Sequence, residues 1–73
     1  MTREACERIA DEVRRYSLKI LDSHFPGRSV EWRQDVTGTV LLRLSLRYED
    51  VREEGWKAWA ARVAVNAGKD ALR

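Results

Sequence analysis

The chain has 73 residues, and a domain of this size buries only about 60% of its unfolded surface. A single cysteine excludes an internal disulfide, and one cysteine with one histidine is too few for a structural zinc site. The net charge is +2, and the whole excess comes from residues 28–48, because the segments before and after hold equal numbers of acidic and basic side chains. We therefore expect a single domain over residues 1–73 that needs no metal or other cofactor.

The cellular location is predicted from what the chain lacks. No run of residues approaches the roughly 20 apolar residues of a membrane span. The first residues are charged and no apolar segment follows them, which argues against a signal peptide. With a lone thiol and no export signal, we expect no membrane association and a reducing cytoplasm, either that of its own cell or that of a host.

The first segment predicts a helix from about Thr2 to His24. Apolar residues recur there at spacings of three and four, which is one stripe of an amphipathic helix. The turn Pro26-Gly27 should end this helix, because proline cannot continue the hydrogen-bond ladder and glycine accepts a positive φ. The stripe consists of Cys6, Ile9, Val13, Tyr16 and Ile20, and it is widened by Ala10, Ser17 and Leu21.

The middle segment predicts a β-hairpin, because apolar and polar residues alternate on both sides of Thr37-Gly38. A three-residue loop, Val36-Thr37-Gly38, places the apolar residues on one face, whereas a two-residue loop mixes the faces. A five-residue loop would place the same residues on each face, so it remains an alternative. The core-facing residues would be Val30, Trp32, Leu42, Leu44 and Leu46, and the other face would carry Glu31, Arg33, Asp35, Leu41, Arg43, Ser45 and Arg47.

The last segment predicts a second helix from about Val51 to Leu72, with Asp50 as its N-cap. A smaller stripe of Ala58, Val65 and Leu72 lies nearly opposite the main one. The main stripe consists of Trp56, Trp59, Ala60, Val63, Ala64, Ala67 and Ala71.

Together these elements predict an α+β domain of order α-β-β-α, in which the antiparallel hairpin packs on two helices in two layers. A two-stranded sheet leaves both edges open. We therefore expect a homodimer that completes a four-stranded sheet, and a helix contact through Val65 and Leu72 is the alternative.

Catalysis is not expected. Cys6 and His24 are the only pair with nucleophile and base chemistry, and they lie about 27 Å apart along one helix. The carboxylates between Glu49 and Glu54 are better explained by the dipole at a helix start. No phosphate-binding loop, dinucleotide fingerprint or nucleophile elbow is present. The chain is thus predicted not to be an enzyme.

The remaining function is binding to another protein, as a regulator, adaptor or inhibitor. The small size of the chain is typical of accessory or phage-encoded inhibitors. The candidate protein-binding residues combine the open sheet face with exposed apolar and aromatic anchors, because tryptophan and arginine dominate interface hot spots. They are Arg33, Leu41, Arg43, Arg47, Trp59, Val65 and Leu72.

The alternative is a nucleic-acid-binding protein of the β-ribbon type, because a two-stranded ribbon can enter the major groove of DNA. It would use the hairpin arginines, with Arg28 nearby. Two acidic residues on the same face and the lack of an aromatic stacking residue there argue against it. The arginines concerned are Arg28, Arg33, Arg43 and Arg47.

Overall fold

A computed structural model describes residues 1–73 as three α-helices. They are α1 (Arg3–His24), α2 (Val30–Arg47) and α3 (Trp56–Ala71), and two short 3₁₀ turns, Tyr48–Asp50 and Glu53–Gly55, connect α2 to α3. The predicted α+β fold with a hairpin is therefore wrong, because the protein is all-helical and has no strand.

The first predicted helix is confirmed by α1. The hydroxyl of Thr2 caps it by accepting a hydrogen bond of 3.1 Å from the backbone N–H of Ala5. After α1 the chain turns at Pro26-Gly27, as predicted. Gly27 has a φ of 85°, a left-handed conformation that glycine adopts without strain. This turn sends α2 back along α1.

The middle segment is the helix α2 instead of a hairpin. The hydroxyl of Ser29 caps this helix by accepting a hydrogen bond of 3.1 Å from the backbone N–H of Trp32. Val36, Val40 and Leu44 follow at helical spacing and are all buried. Leucine, which is frequent in the second half of the segment, also has a high helix propensity. Burial against α1 and α3 decides in favour of the helix.

The predicted core face of the hairpin is split by this helix. Leu44 is only 1% exposed, whereas Leu42 and Leu46 are 59% and 71% exposed. The sheet edges that motivated the homodimer do not exist. A homodimer would therefore have to form through a surface other than a sheet edge.

The core lies between the three helices. Close packing at one end depends on Gly68 of α3, because a Cβ atom there would lie 2.5 Å from Cε2 of Phe25. None of the helices combines the length and the apolar character needed to cross a bilayer. The core residues are Cys6, Ile9, Val13, Leu21, Val36, Val40, Leu44, Val51, Trp56, Ala60, Ala64 and Ala67.

The last predicted helix is confirmed for most of its length, but it begins at Trp56 instead of near Val51. Gly55, not Asp50, stands at its N-cap. Val51 is buried in the connection between α2 and α3. The backbone nitrogen of Met1 donates a hydrogen bond of 2.9 Å to the carbonyl of Tyr48, which ties this connection to the start of α1.

Candidate protein-binding face

A shallow groove runs along the outside of the bundle between α2 and α3. Arg43, Leu46 and Arg47 line it from α2, and Trp59 and Val63 line it from α3. The spacings of three and four residues place each set on one side of its helix. We call these five residues the α2–α3 face.

The α2–α3 face includes a strongly exposed leucine. Leu46 is 71% exposed, and Leu42, one turn earlier on the same side of α2, is 59% exposed. Leu42 and Leu46 are neighbours on α2, and Leu46 lies beside Trp59 in the groove. Exposed apolar side chains that cluster in this way are candidates for contact with a partner.

Trp59 is the aromatic anchor of this patch. The side chain is half-buried and packs against the core, so its position is fixed. It also lines a second concavity with Ala58 and Arg62. A tryptophan held rigidly between two shallow concavities is typical of an interface hot spot.

The two arginines of the α2–α3 face form no ion pair within the chain. Seven of the eleven arginines form an ion pair within the chain, but Arg43 and Arg47 do not. No acidic residue lines the groove. Both guanidinium groups are therefore available to a carboxylate from outside the chain.

Arg33 and Arg28, the other two predicted arginines, lie elsewhere. Arg33 donates to the carboxylate of Asp22 at 2.9 Å and to the carbonyl of Arg28 at 3.2 Å, so it ties α2 to α1. Arg28 stacks on Trp32, at 5.8 Å from the ring centroid. The sheet face that was predicted to carry these four arginines does not exist, because residues 30–47 form a helix, and a β-ribbon that binds DNA cannot form there.

The predicted apolar candidates are also dispersed. Leu41 is half-buried on the α1 side of α2, where it lines a cleft with Leu18 and Thr37. Val65 is half-buried on the side of α3 away from the α2–α3 face, and Leu72 is 41% exposed at the end of that helix. Of the predicted protein-binding residues, the structure brings together Arg43, Arg47 and Trp59.

Sequence reasoning missed Leu42 and Leu46 as surface residues, because the hairpin register placed both leucines in the core. Val63 was predicted on the core stripe, and it packs against the core while also lining the groove. One signal could have found the two leucines. Leu42 and Leu46 are spaced by four residues beside Arg43 and Arg47, which are spaced identically, and this is the pattern of a helix surface.

The residues with catalytic chemistry are not assembled into a site. Burial raises the pKa of the Cys6 thiol, and the charge of Glu7 adds to this effect. His24 is exposed at the far end of α1. The carboxylate of Glu53 forms an ion pair with the guanidinium of Arg8, with 2.7 Å between Oε2 and Nη2. No group of three or more His, Cys, Asp or Glu side chains is arranged to hold a metal ion.

Comparisons with known protein families, curated proteins and solved structures find no match to this chain. Exposed leucine, a fixed tryptophan and unpaired arginine coincide at the α2–α3 face.

Proposed function

We propose that the chain acts by binding another protein through the α2–α3 face, as a regulator, adaptor or inhibitor, and does not itself catalyse a reaction. The observation that supports this proposal is the exposed apolar surface of Leu46 and Trp59, flanked by Arg43 and Arg47 without internal partners. Folding of the chain alone gives no reason for either feature.

The composition of the face matches what interfaces need. Burying apolar surface contributes about 25 cal/mol per Å², and Leu46 and Trp59 supply such surface at the centre. Arg43 and Arg47 lie one helical turn apart at the rim, where each can form a charge-assisted hydrogen bond to a carboxylate. The face therefore suits a partner with an apolar ridge flanked by acidic residues.

Site-specific photocrosslinking tests the proposal. A photoreactive amino acid replaces Leu46, and a matched variant carries it at Lys19, which is exposed on α1 away from the face. In extracts of the source organism, we expect a defined protein to be captured from position 46 and not from position 19. Adding Trp59→Ala should remove that product, with helical circular dichroism unchanged.

Two results would contradict the proposal. Equal capture from positions 46 and 19 would show that the product reflects general adhesion. A product that survives both Trp59→Ala and Arg43→Glu would show that the face does not contribute to binding.

A further inference from the structure

A groove of about 400 Å³ lies between α1 and the start of α3. Its volume falls within the range of roughly 300–1,000 Å³ that small-molecule sites occupy in proteins. The groove shares no residue with the α2–α3 face, so the proposed function does not account for it. We call it the α1–α3 groove, and it is lined by Glu12, Arg15, Tyr16, Lys19, Trp56 and Lys57.

The α1–α3 groove is electropositive. Arg15, Lys19 and Lys57 each bring a positive charge, and neither lysine forms an ion pair within the chain. Glu12 brings the only negative charge of the lining, so the three cations and one anion give the groove a net charge of +2. Arg15 pairs with Asp11, but a second arginine shares that carboxylate, so this pair does not cancel the excess.

These cations occupy positions that are unfavourable for their helices. Lys57 lies in the first turn of α3, which has no acidic residue and no side-chain cap, so its charge adds to the positive end of the helix dipole. Arg15 and Lys19 are spaced by four residues on α1, where like charges repel each other. The ammonium of Lys57 lies 5.8 Å from the ring centroids of both Tyr16 and Trp56, which holds it at the groove. A bound anion would relieve this repulsion.

The indole N–H of Trp56 is a further donor at this groove. The side chain is only 9% exposed, and none of the side-chain hydrogen bonds within the chain uses the indole nitrogen. The buried side-chain atoms without a partner are the hydroxyls of Ser17 and Thr37 alone. The indole N–H must therefore reach the surface, and the α1–α3 groove is the concavity that Trp56 lines. Its position is fixed by packing, and it is available to an acceptor from outside the chain.

We propose that the α1–α3 groove binds the phosphate group of a small phosphate monoester. Such a group carries about two negative charges near neutral pH, which matches the net charge of +2 in the groove. Lysine ammonium groups and the N-terminal end of a helix both favour phosphate, and the indole N–H of Trp56 supplies a directed hydrogen bond. The half-buried ring of Tyr16 borders the same groove, so the organic body of the ester can pack against it.

A bound phosphate would make each unfavourable feature of the groove favourable. It would neutralise both lysines, would interact with the positive end of α3 and would accept the hydrogen bond from the indole N–H. A carboxylate has a single negative charge and would leave one of the two excess positive charges unmatched. The phosphate monoester is therefore the class of ligand that the charge of the groove favours.

Nuclear magnetic resonance of the three indole N–H groups tests the inference. Trp32→Phe and Trp59→Phe assign the Trp56 signal by elimination, and in the wild-type chain the other two signals are internal controls, since neither residue lines the groove. On titration with phenyl phosphate we expect the Trp56 signal to move and to saturate, with a dissociation constant of about 1 mM or lower. Sodium chloride at matched ionic strength should not move it. The absence of a saturable shift at about 10 mM phenyl phosphate, or an equal shift with chloride, would overturn the inference.

Charge variants locate the bound phosphate. Lys57→Gln and Lys19→Gln should each weaken the binding of phenyl phosphate about threefold. Lys69→Gln removes the same charge from the other end of α3 and should leave the affinity unchanged. Glu12→Gln should tighten binding by about the same factor, because it removes the negative charge of the lining. An affinity that is unchanged in both groove lysine variants, or that falls equally in Lys69→Gln, would overturn the inference.

Two further ligands define the chemistry of the site. Benzoate has the ring of phenyl phosphate but carries a carboxylate, and inorganic phosphate lacks the organic body, so we expect both to bind more weakly than phenyl phosphate. Benzoate that binds as tightly would overturn the assignment to phosphate, and inorganic phosphate that binds as tightly would overturn the assignment to an ester. None of these measurements involves the α2–α3 face, so the proposed function is tested separately.

Discussion

The helices α1 and α2 use their apolar residues differently. In α1 most of the large hydrophobic residues lie on one stripe, and none is exposed. In α2 the inner residues Val36, Val40 and Leu44 are buried, while Leu42 and Leu46 remain in water on the outer side. The apolar residues of α1 are thus accounted for by the fold. Those on the outer side of α2 gain nothing from it, and the proposed function would account for them.

The same difference explains why α2 resembles a strand in the sequence. Val40 and Leu44 belong to the inner side, and Leu42 and Leu46 belong to the outer side. Two stripes on nearly opposite sides of a helix interleave with a period of two, which is the period of a strand. The alternating pattern was therefore real, but it was produced by two helical faces instead of one sheet face.

The largest expected change in stability comes from the buried side of α2 and not from its exposed side. Leu44→Ala should lower the free energy of unfolding by about 2–5 kcal/mol, because it leaves a cavity in the core. Leu46→Ala should change it by no more than about 0.5 kcal/mol, because its side chain is exposed. Urea denaturation of the two variants measures both values. Equal losses would contradict the assignment of Leu46 to the surface, since both leucines faced the core in the predicted hairpin.

A second prediction concerns the contact between the end of α1 and α3. Gly68→Ala should lower the free energy of unfolding by about 1–3 kcal/mol, because the added Cβ would lie 2.5 Å from Cε2 of Phe25. Thermal denaturation monitored by circular dichroism measures the change. Adding Phe25→Leu to Gly68→Ala should recover part of the loss, and no recovery would show that the ring is not the cause.

An alanine in place of Gly38 should stabilise the protein, in contrast to one in place of Gly68. Gly38 lies within α2, and a Cβ there would meet nothing within 4 Å. Gly38→Ala should therefore raise the free energy of unfolding by about 1 kcal/mol, the difference in helix propensity between alanine and glycine. In a hairpin with glycine in a left-handed position, the same change would be destabilising. A lowered midpoint in urea would thus contradict the helical assignment of α2.

The α1–α2 contact contains two buried hydroxyls, those of Ser17 and Thr37, with no hydrogen-bond partner. A buried polar group without a partner is unfavourable, so Thr37→Val, which keeps the shape, should raise the free energy of unfolding by about 1 kcal/mol. Chemical denaturation checks this, with Thr39→Val on the outer side of α2 as the exposed control. A loss of stability in Thr37→Val would mean that the hydroxyl has a partner.

The smallest expected effect is a pH dependence from Cys6. Because burial raises the pKa of this thiol above its ordinary value of 9.0, the unfolded chain loses the proton first as the pH rises. The free energy of unfolding should therefore fall above pH 9 and should be unaffected by Cys6 below it. Comparing wild type with Cys6→Ala between pH 7 and 10 isolates the effect, which an identical pH profile in both proteins would exclude.

The candidate site was predicted only in part. Arg43, Arg47 and Trp59 were identified because their residue types favour interfaces, and this identification did not depend on the fold. Their neighbour Leu46 could not be found, because the hairpin register assigned it to the core. Arg33 was chosen for the same reason as Arg43, and only the position of Asp22 on α1 gives it a different, internal role.

α1, most of α3 and the turn at Pro26-Gly27 could be predicted from the amino-acid sequence, because in these segments one periodic stripe or one conformational restriction favours a single local structure. The helix over residues 30–47 could not, because it depends on tertiary packing. Their pattern fits either a strand or a helix with two faces, and burial of Val36, Val40 and Leu44 between α1 and α3 stabilises only the second. That same choice turned Leu42 and Leu46 outward and created the surface on which the proposed function depends.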